Sequence, residues 1–185
     1  MATLPEPVLI NADQFLQMDF GPDIKAELDN GVIRIMAGGT AAHARMQANT
    51  MLALGIALRG SGCRAYGPDM GLRIHGMSIR YPDISVYCGK DSEIFDSQKA
   101  FTDPVVLVEV LSPSTVALDQ GTKLNEYRDL PSVQTILLID SEASTVRSIT
   151  RTGPQNWTDN VQGAGEDVII PHLNLTLAHD EIFAR

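Results

Sequence analysis

Cysteine, aromatic rings, positive charge and long apolar runs are all scarce in this chain, and each scarcity excludes a class of protein. Cys63 and Cys88 are the only cysteines and neither belongs to a CxxC pair. Two are too few for a disulfide framework, so a pair of reduced, partly buried thiols is expected. No apolar run approaches the roughly 18 residues that span a bilayer, and the N-terminus lacks the basic-then-apolar pattern of a secretory leader, so a cytoplasmic protein is expected. Lys and Arg number 14 against 23 Asp and Glu, a formal charge of −9. Proteins that hold DNA without sequence preference usually present excess cation to phosphate, and this balance argues against a broadly basic surface. It leaves room for a local basic stripe, and carboxylates that gather a divalent ion themselves add to the negative count. There is no Gly-rich phosphate loop and no GxSxG elbow, which removes support for a small-molecule enzyme on an unrelated fold. His75, His172 and His179 have no ligand spacing among them, so no zinc centre is expected.

What is present fits one globular domain over residues 1–185, with an apolar fraction of 44% and no internal repeat. Asn11 can cap a short helix over 11–18. Asn30-Gly31 between two strand-like runs is a strong hairpin signal. Thr40 can cap a helix to about residue 59 with Met46, Met51, Leu54 and Leu58 on one face, ended by Gly60 and Gly62. Strand-like runs and turns then alternate through 63–88, closing with a single strand over 79–87. The nearly continuous apolar run 104–111 reads as a central buried strand, broken at 112–115 and followed by a helix over 118–130 that Pro131 stops. Runs at 134–139, 146–151, 156–161 and 167–170 read as strands, the last three as a closing antiparallel set. The expected fold class is α/β, a mixed central sheet flanked by helices, with antiparallel hairpins at both ends of the chain.

Two carboxylates stand out because their neighbours are apolar. Asp83 follows Tyr81-Pro82 amid Ile79, Ile84, Val86 and Tyr87, and Glu109 stands alone within 105–111. A buried ionised carboxylate needs a cation, hydrogen bonds or a metal. Taken singly, Asp83 reads equally well as a turn residue and Glu109 as the partner of an arginine. On neighbouring strands, the two would offer oxygen ligands to Mg²⁺ or Mn²⁺. Lys123 and Tyr127, four apart, project from one helical face, and Lys123 could bring an amine to such an ion. Seen alone it would be a solvated lysine.

The segments Arg80-Tyr81-Pro82-Asp83-Ile84-Ser85-Val86 and Leu107-Val108-Glu109-Val110-Leu111-Ser112-Pro113-Ser114-Thr115, followed by Asp119, Lys123 and Tyr127, resemble the Uma-type family of restriction-endonuclease-like proteins. That family is itself similar to the PD-(D/E)xK nucleases. The resemblance extends to Glu27 with Asn30-Gly31, to His43 and to residues 136–140. It implies a metal-dependent endonuclease acting on DNA with Mg²⁺ or Mn²⁺, Asp83 and Glu109 being the metal-binding acids. Leu111 stands where these nucleases usually carry a lysine, two positions after the second acid, so the resemblance hands that role to Lys123. Glu27 is implied as a third acid, although a glutamate beside a hairpin is usually solvated. His43 reads either as a contact to the site or substrate or as a helix-start residue bonded to backbone. Asp69 reads as a turn residue and Asp119 as part of the cap that positions Lys123. The competing expectation is a catalytically idle scaffold of the same fold that binds proteins, and a homodimer is expected in either case.

Overall fold

The structure is a computed structural model that describes residues 8–22, 24–89, 96–112 and 119–185, with the side chains of 119 and 120 outside that description. Asn30 and Gly31 both take positive φ, 48° and 86°, as a tight hairpin turn requires. They join β1 (Ala26–Asp29) to β2 (Val32–Ile35), with Asp29 opposite Val32. The hairpin forms one end of a five-stranded sheet that continues from β1 through β5 (Ser78–Arg80) and β4 (Gly71–His75) to β7 (Ala100–Phe101). One face is closed by α1 (Ala12–Gln17), whose Phe15 packs with Ala26, Leu28 and Ile79. Asn11 and Gln14 form a reciprocal capping box at the start of that helix.

A second sheet has six strands, in the order β11 (Trp157–Gln162), β10 (Thr145–Arg151), β9 (Thr135–Asp140), β8 (Val106–Leu111), β6 (Ile84–Cys88) and β3 (Cys63–Tyr66). Only β8 and β9 pair in parallel, so the sheet is mixed. Every residue of β8 is buried. Val106, Val108 and Val110 cluster with Met46 and Leu54 of α2 (Ala41–Ala57). The alternate residues Leu107 and Leu111 instead meet Leu72 of β4 and Leu124 and Tyr127 of α3 (Leu124–Asp129). A strand's side chains alternate between faces, so β8 serves two cores, one beneath α2 and one between the sheets.

The apolar run 79–87 is two strands in two sheets: Pro82 has no N–H to give to a ladder, and the chain leaves the first sheet after Arg80 and enters the second at Ile84. The helix expected over 118–130 is α3 preceded by a π-helical turn, Asp119–Lys123; residue 118, where that expectation begins, and most of the break expected at 112–115 lie outside the described residues. Cys63 and Cys88 are not free thiols. They stand directly opposite in the β3–β6 register, with Cα atoms 3.9 Å apart, and form a disulfide. Cysteine spacing along the chain could not reveal a cross-strand register.

β12 (Val168–Ile170) leaves the closing set expected of it and pairs with β13 (Leu175–Leu177) as a separate ribbon. A short α4 (His179–Ile182) follows. Val168, Ile170, Leu177 and Ile182 belong to the α2-side core. Among the described residues no helix is long and apolar enough to cross a membrane.

Candidate active site

The β6–β8 register ends with Ile84 opposite Val108, and Asp83 and Glu109 are the next residues along the two segments. Asp83 stands at the bend where the chain changes sheets, and its Oδ2 accepts the Val110 N–H at 2.7 Å. From α2, Gln47 donates to the Asp83 carbonyl at 3.2 Å and to its Oδ1 at 3.4 Å, and His43 Nε2 lies 3.3 Å from its Oδ2. Thr40 accepts from the His43 N–H and so fixes the helix start that delivers the imidazole. The sequence left two readings of His43 open: the imidazole lies beside Asp83, while the bond at the helix start is made by the residue's backbone N–H to the Thr40 hydroxyl.

Glu109 is 3% exposed. Its Oε1 accepts from Tyr127 Oη at 2.6 Å and lies 3.3 Å from Lys123 Nζ. The same ammonium lies 3.2 Å from Glu27 Oε1, and Lys123 is itself only 4% exposed. Glu27 is not the solvated strand residue that its place beside a hairpin suggests: it is buried, and its Oε1 also accepts the Tyr81 N–H at 3.0 Å. The structure therefore brings Glu27, Glu109 and Lys123 together, with Asp83 and His43 on the adjoining edge. Asp69 is elsewhere, exposed and paired with Lys25 at 2.7 Å.

Sequence reasoning assigned no role to the charged groups beneath this cluster. Arg80 has no exposed surface. Its Nε and Nη2 fork onto Glu126 at 2.7 and 2.8 Å, Nη2 also meets Asp29 at 2.9 Å, and Nη1 lies 3.4 Å from Glu27 Oε2. Burial opposes the charge of Arg80, but Glu126, Glu27 and Asp29 together hold its pKa above the ordinary value. Burial would raise the Asp29 carboxyl; hydrogen bonds from Arg34 and Arg80 outweigh that and hold it below the ordinary range. Two signals could have exposed the network: Arg80 beside the Tyr-Pro-Asp bend, and Glu126 one turn on from Lys123.

Glu27, Asp29, Asp83, Glu109 and Glu126 supply five formal negative charges against three positive ones from Arg34, Arg80 and Lys123, leaving −2. Among the described residues no three His, Cys, Asp or Glu side chains group closely enough to hold a metal ion. The carboxylates of this cluster are hard oxygen donors, so in kind the residues fit Mg²⁺ or Mn²⁺.

Mixed sheets flanked by few helices, with acids at the end of a central strand pair, define a restriction-endonuclease-like α/β fold. A crystal structure from Anabaena variabilis, described as "a putative nuclease belonging to DUF820", matches with a TM-score of 0.75 over 95% of this chain and 98% of that one, at 21% identity. The chain belongs to the Uma2 family, described as "Putative restriction endonuclease", whose model matches residues 12–178. It is 31% identical over 150 residues to the uncharacterized protein sll1609 of Synechocystis sp., covering 80% of this chain and 85% of that protein. To a second uncharacterized Synechocystis protein, slr1290, it is 27% identical over 175 residues, 94% of this chain and 91% of that one.

Proposed function

We propose that this protein is a metal-dependent endonuclease that hydrolyses DNA phosphodiester bonds. The observation that carries the reading is Lys123, delivered by a separate element onto Glu109, while Asp83, at the bend that enters the neighbouring strand, accepts the N–H of Val110. Asp83 and Glu109 would hold Mg²⁺ or Mn²⁺, which when bound polarises the phosphate. Glu27 and Glu109 fix the Lys123 ammonium, which offsets charge building on the phosphate oxygens as water attacks phosphorus and one P–O ester bond breaks. His43 and Gln47 hold the Asp83 carboxylate in orientation. The family and the fold point the same way, because the Uma2 description and that of the Anabaena neighbour both name nucleases.

The test is nicking of supercoiled plasmid at low salt with Mg²⁺ or Mn²⁺. Nicking by the wild type that Asp83→Ala and Glu109→Gln abolish supports the reading, and no nicking across metals and substrates overturns it. One observation favours a second reading, an idle scaffold on the same fold. The Lys123 ammonium already supplies a cation to Glu27 and Glu109, so the cluster is bonded without an ion. That reading predicts no stabilisation by divalent metal.

A further inference from the structure

A lysine carries its charge on four rotatable carbons, so delivering that charge to one point requires something to fix the segment it grows from. That segment is a five-residue π-helical turn, ended by Lys123, that runs directly into the six residues of α3, together still short of the roughly 12 to 15 at which an isolated helix is even marginally stable in water. Its rotation about its own axis must be set from outside, because one residue of rotation would carry Lys123 about 100° away from Glu109.

Arg80 supplies the outside reference. It is wholly buried at the end of β5, three residues before Asp83, and grips Glu126 through a two-point fork at 2.7 and 2.8 Å. Such a fork fixes direction as well as distance. The same guanidinium reaches β1, meeting Asp29 at 2.9 Å and Glu27 Oε2 at 3.4 Å. The other oxygen of Glu27 is the one 3.2 Å from Lys123 Nζ. Arg80 therefore borders Lys123 from two sides without being its partner: through Glu126 it sets the helix, and through Glu27 it sets one of the two carboxylates that receive the ammonium.

We propose that Arg80 and Glu126 form a positioning pair that places Lys123 against Glu109, an inference that rests on the nuclease reading for its catalytic consequence but not for its structural one. Arg80 has no exposed surface with which to meet a substrate. The guanidinium ties the strand that leads into the Asp83 bend to the helix that carries the amine, so the acid and amine halves of the site keep one relative placement.

The experiment is a double-mutant cycle in the full chain, with Glu126→Gln, Lys123→Ala and the pair, read twice. Glu126→Gln keeps the side chain's size and one acceptor but removes the charge that makes the fork. In plasmid nicking it should lower kcat about ten-fold or more with KM changed less than about three-fold, and add almost nothing to the loss already caused by Lys123→Ala. Arg80→Lys should not restore the rate, since an ammonium cannot fork. Equal factors in both backgrounds would mean that Glu126 acts independently of Lys123, which overturns the proposal. The second readout is urea unfolding of the same four proteins without metal. Non-additivity of the unfolding constants beyond about three-fold supports coupling through the network, and additivity overturns it. If the wild type never nicks, the nuclease reading fails by itself and the unfolding cycle alone decides the pair. Should Glu126→Gln not fold, Glu126→Asp replaces it in both cycles under the same criteria.

Discussion

Lys123 has almost no water around it, an unusual condition for the most readily hydrated of side chains. Its burial is compensated by Glu27 and Glu109 together, and this makes the consequence of removing it specific. Lys123→Ala leaves two buried carboxylates facing a hole. Breaking a buried pair by deleting one partner costs about 3–5 kcal/mol, so the variant should be clearly less stable at neutral pH. Urea unfolding at neutral pH should show that loss, and an unchanged unfolding free energy would deny the pairing. Asp83 makes the complementary case. Its carboxylate is held by Val110, Gln47 and His43 rather than by a buried lysine, and in the proposed function it is a ligand. Divalent metal should therefore raise the melting temperature of wild type and do so much less for Asp83→Ala, since a ligand bound only to the native state stabilises by mass action. Equal shifts in both proteins would remove Asp83 from the ion.

At the scale of elements, the β3–β6 disulfide pins an edge strand to the strand that starts beside Asp83. It closes a loop between residues 25 apart in sequence, for which chain entropy gives about 3–4 kcal/mol. Cys63→Ser with Cys88→Ser, or treatment with a reductant, should lower the unfolding free energy by about that amount. An unchanged denaturation midpoint would show the bond absent in solution. Much at this scale was legible beforehand. The Asn30-Gly31 turn, the Asn11 and Thr40 caps and the buried β8 each follow from a local rule, because turn dihedrals, cap hydrogen bonds and an unbroken apolar run are properties of a few adjacent residues. What was not legible is non-local. The disulfide depends on the register between strands, the split of 79–87 on which sheet each half joins, and the burial of Glu27 and Arg80 on a second layer that no short window contains. The acids of the candidate site were readable as charges among apolar neighbours, and Arg80 was not, because its three partners, Glu27, Asp29 and Glu126, come from two distant segments.

Across the whole molecule, the question raised by two sheets is whether they form one unit or two. Among the described residues, links of several kinds cross between them. The backbone passes from one to the other at the bend holding Asp83, Leu72 of the five-stranded sheet sits in a core with Leu107, Ile136 and Ile149 of the six-stranded one, and the ion network ties Glu27 and Arg80 to Glu109, Lys123 and Glu126. Separating the sheets would expose that core and strand buried charges on both sides, so a half-unfolded state is penalised twice. We therefore expect residues 1–185 to behave as a single domain and to melt in one transition, with a calorimetric enthalpy of about 130 kcal/mol near 60 °C for this length, at roughly 0.7 kcal/mol per residue, and equal to the van't Hoff value. Leu72→Ala probes the joint directly: it removes a side chain with no exposed surface at a cost of about 2–5 kcal/mol. In one cooperative unit the whole transition moves down and stays single. If scanning calorimetry of that variant instead resolves two peaks, with one left at the wild-type temperature, the sheets are separate units, and the site assembled across them would have to form only when they dock.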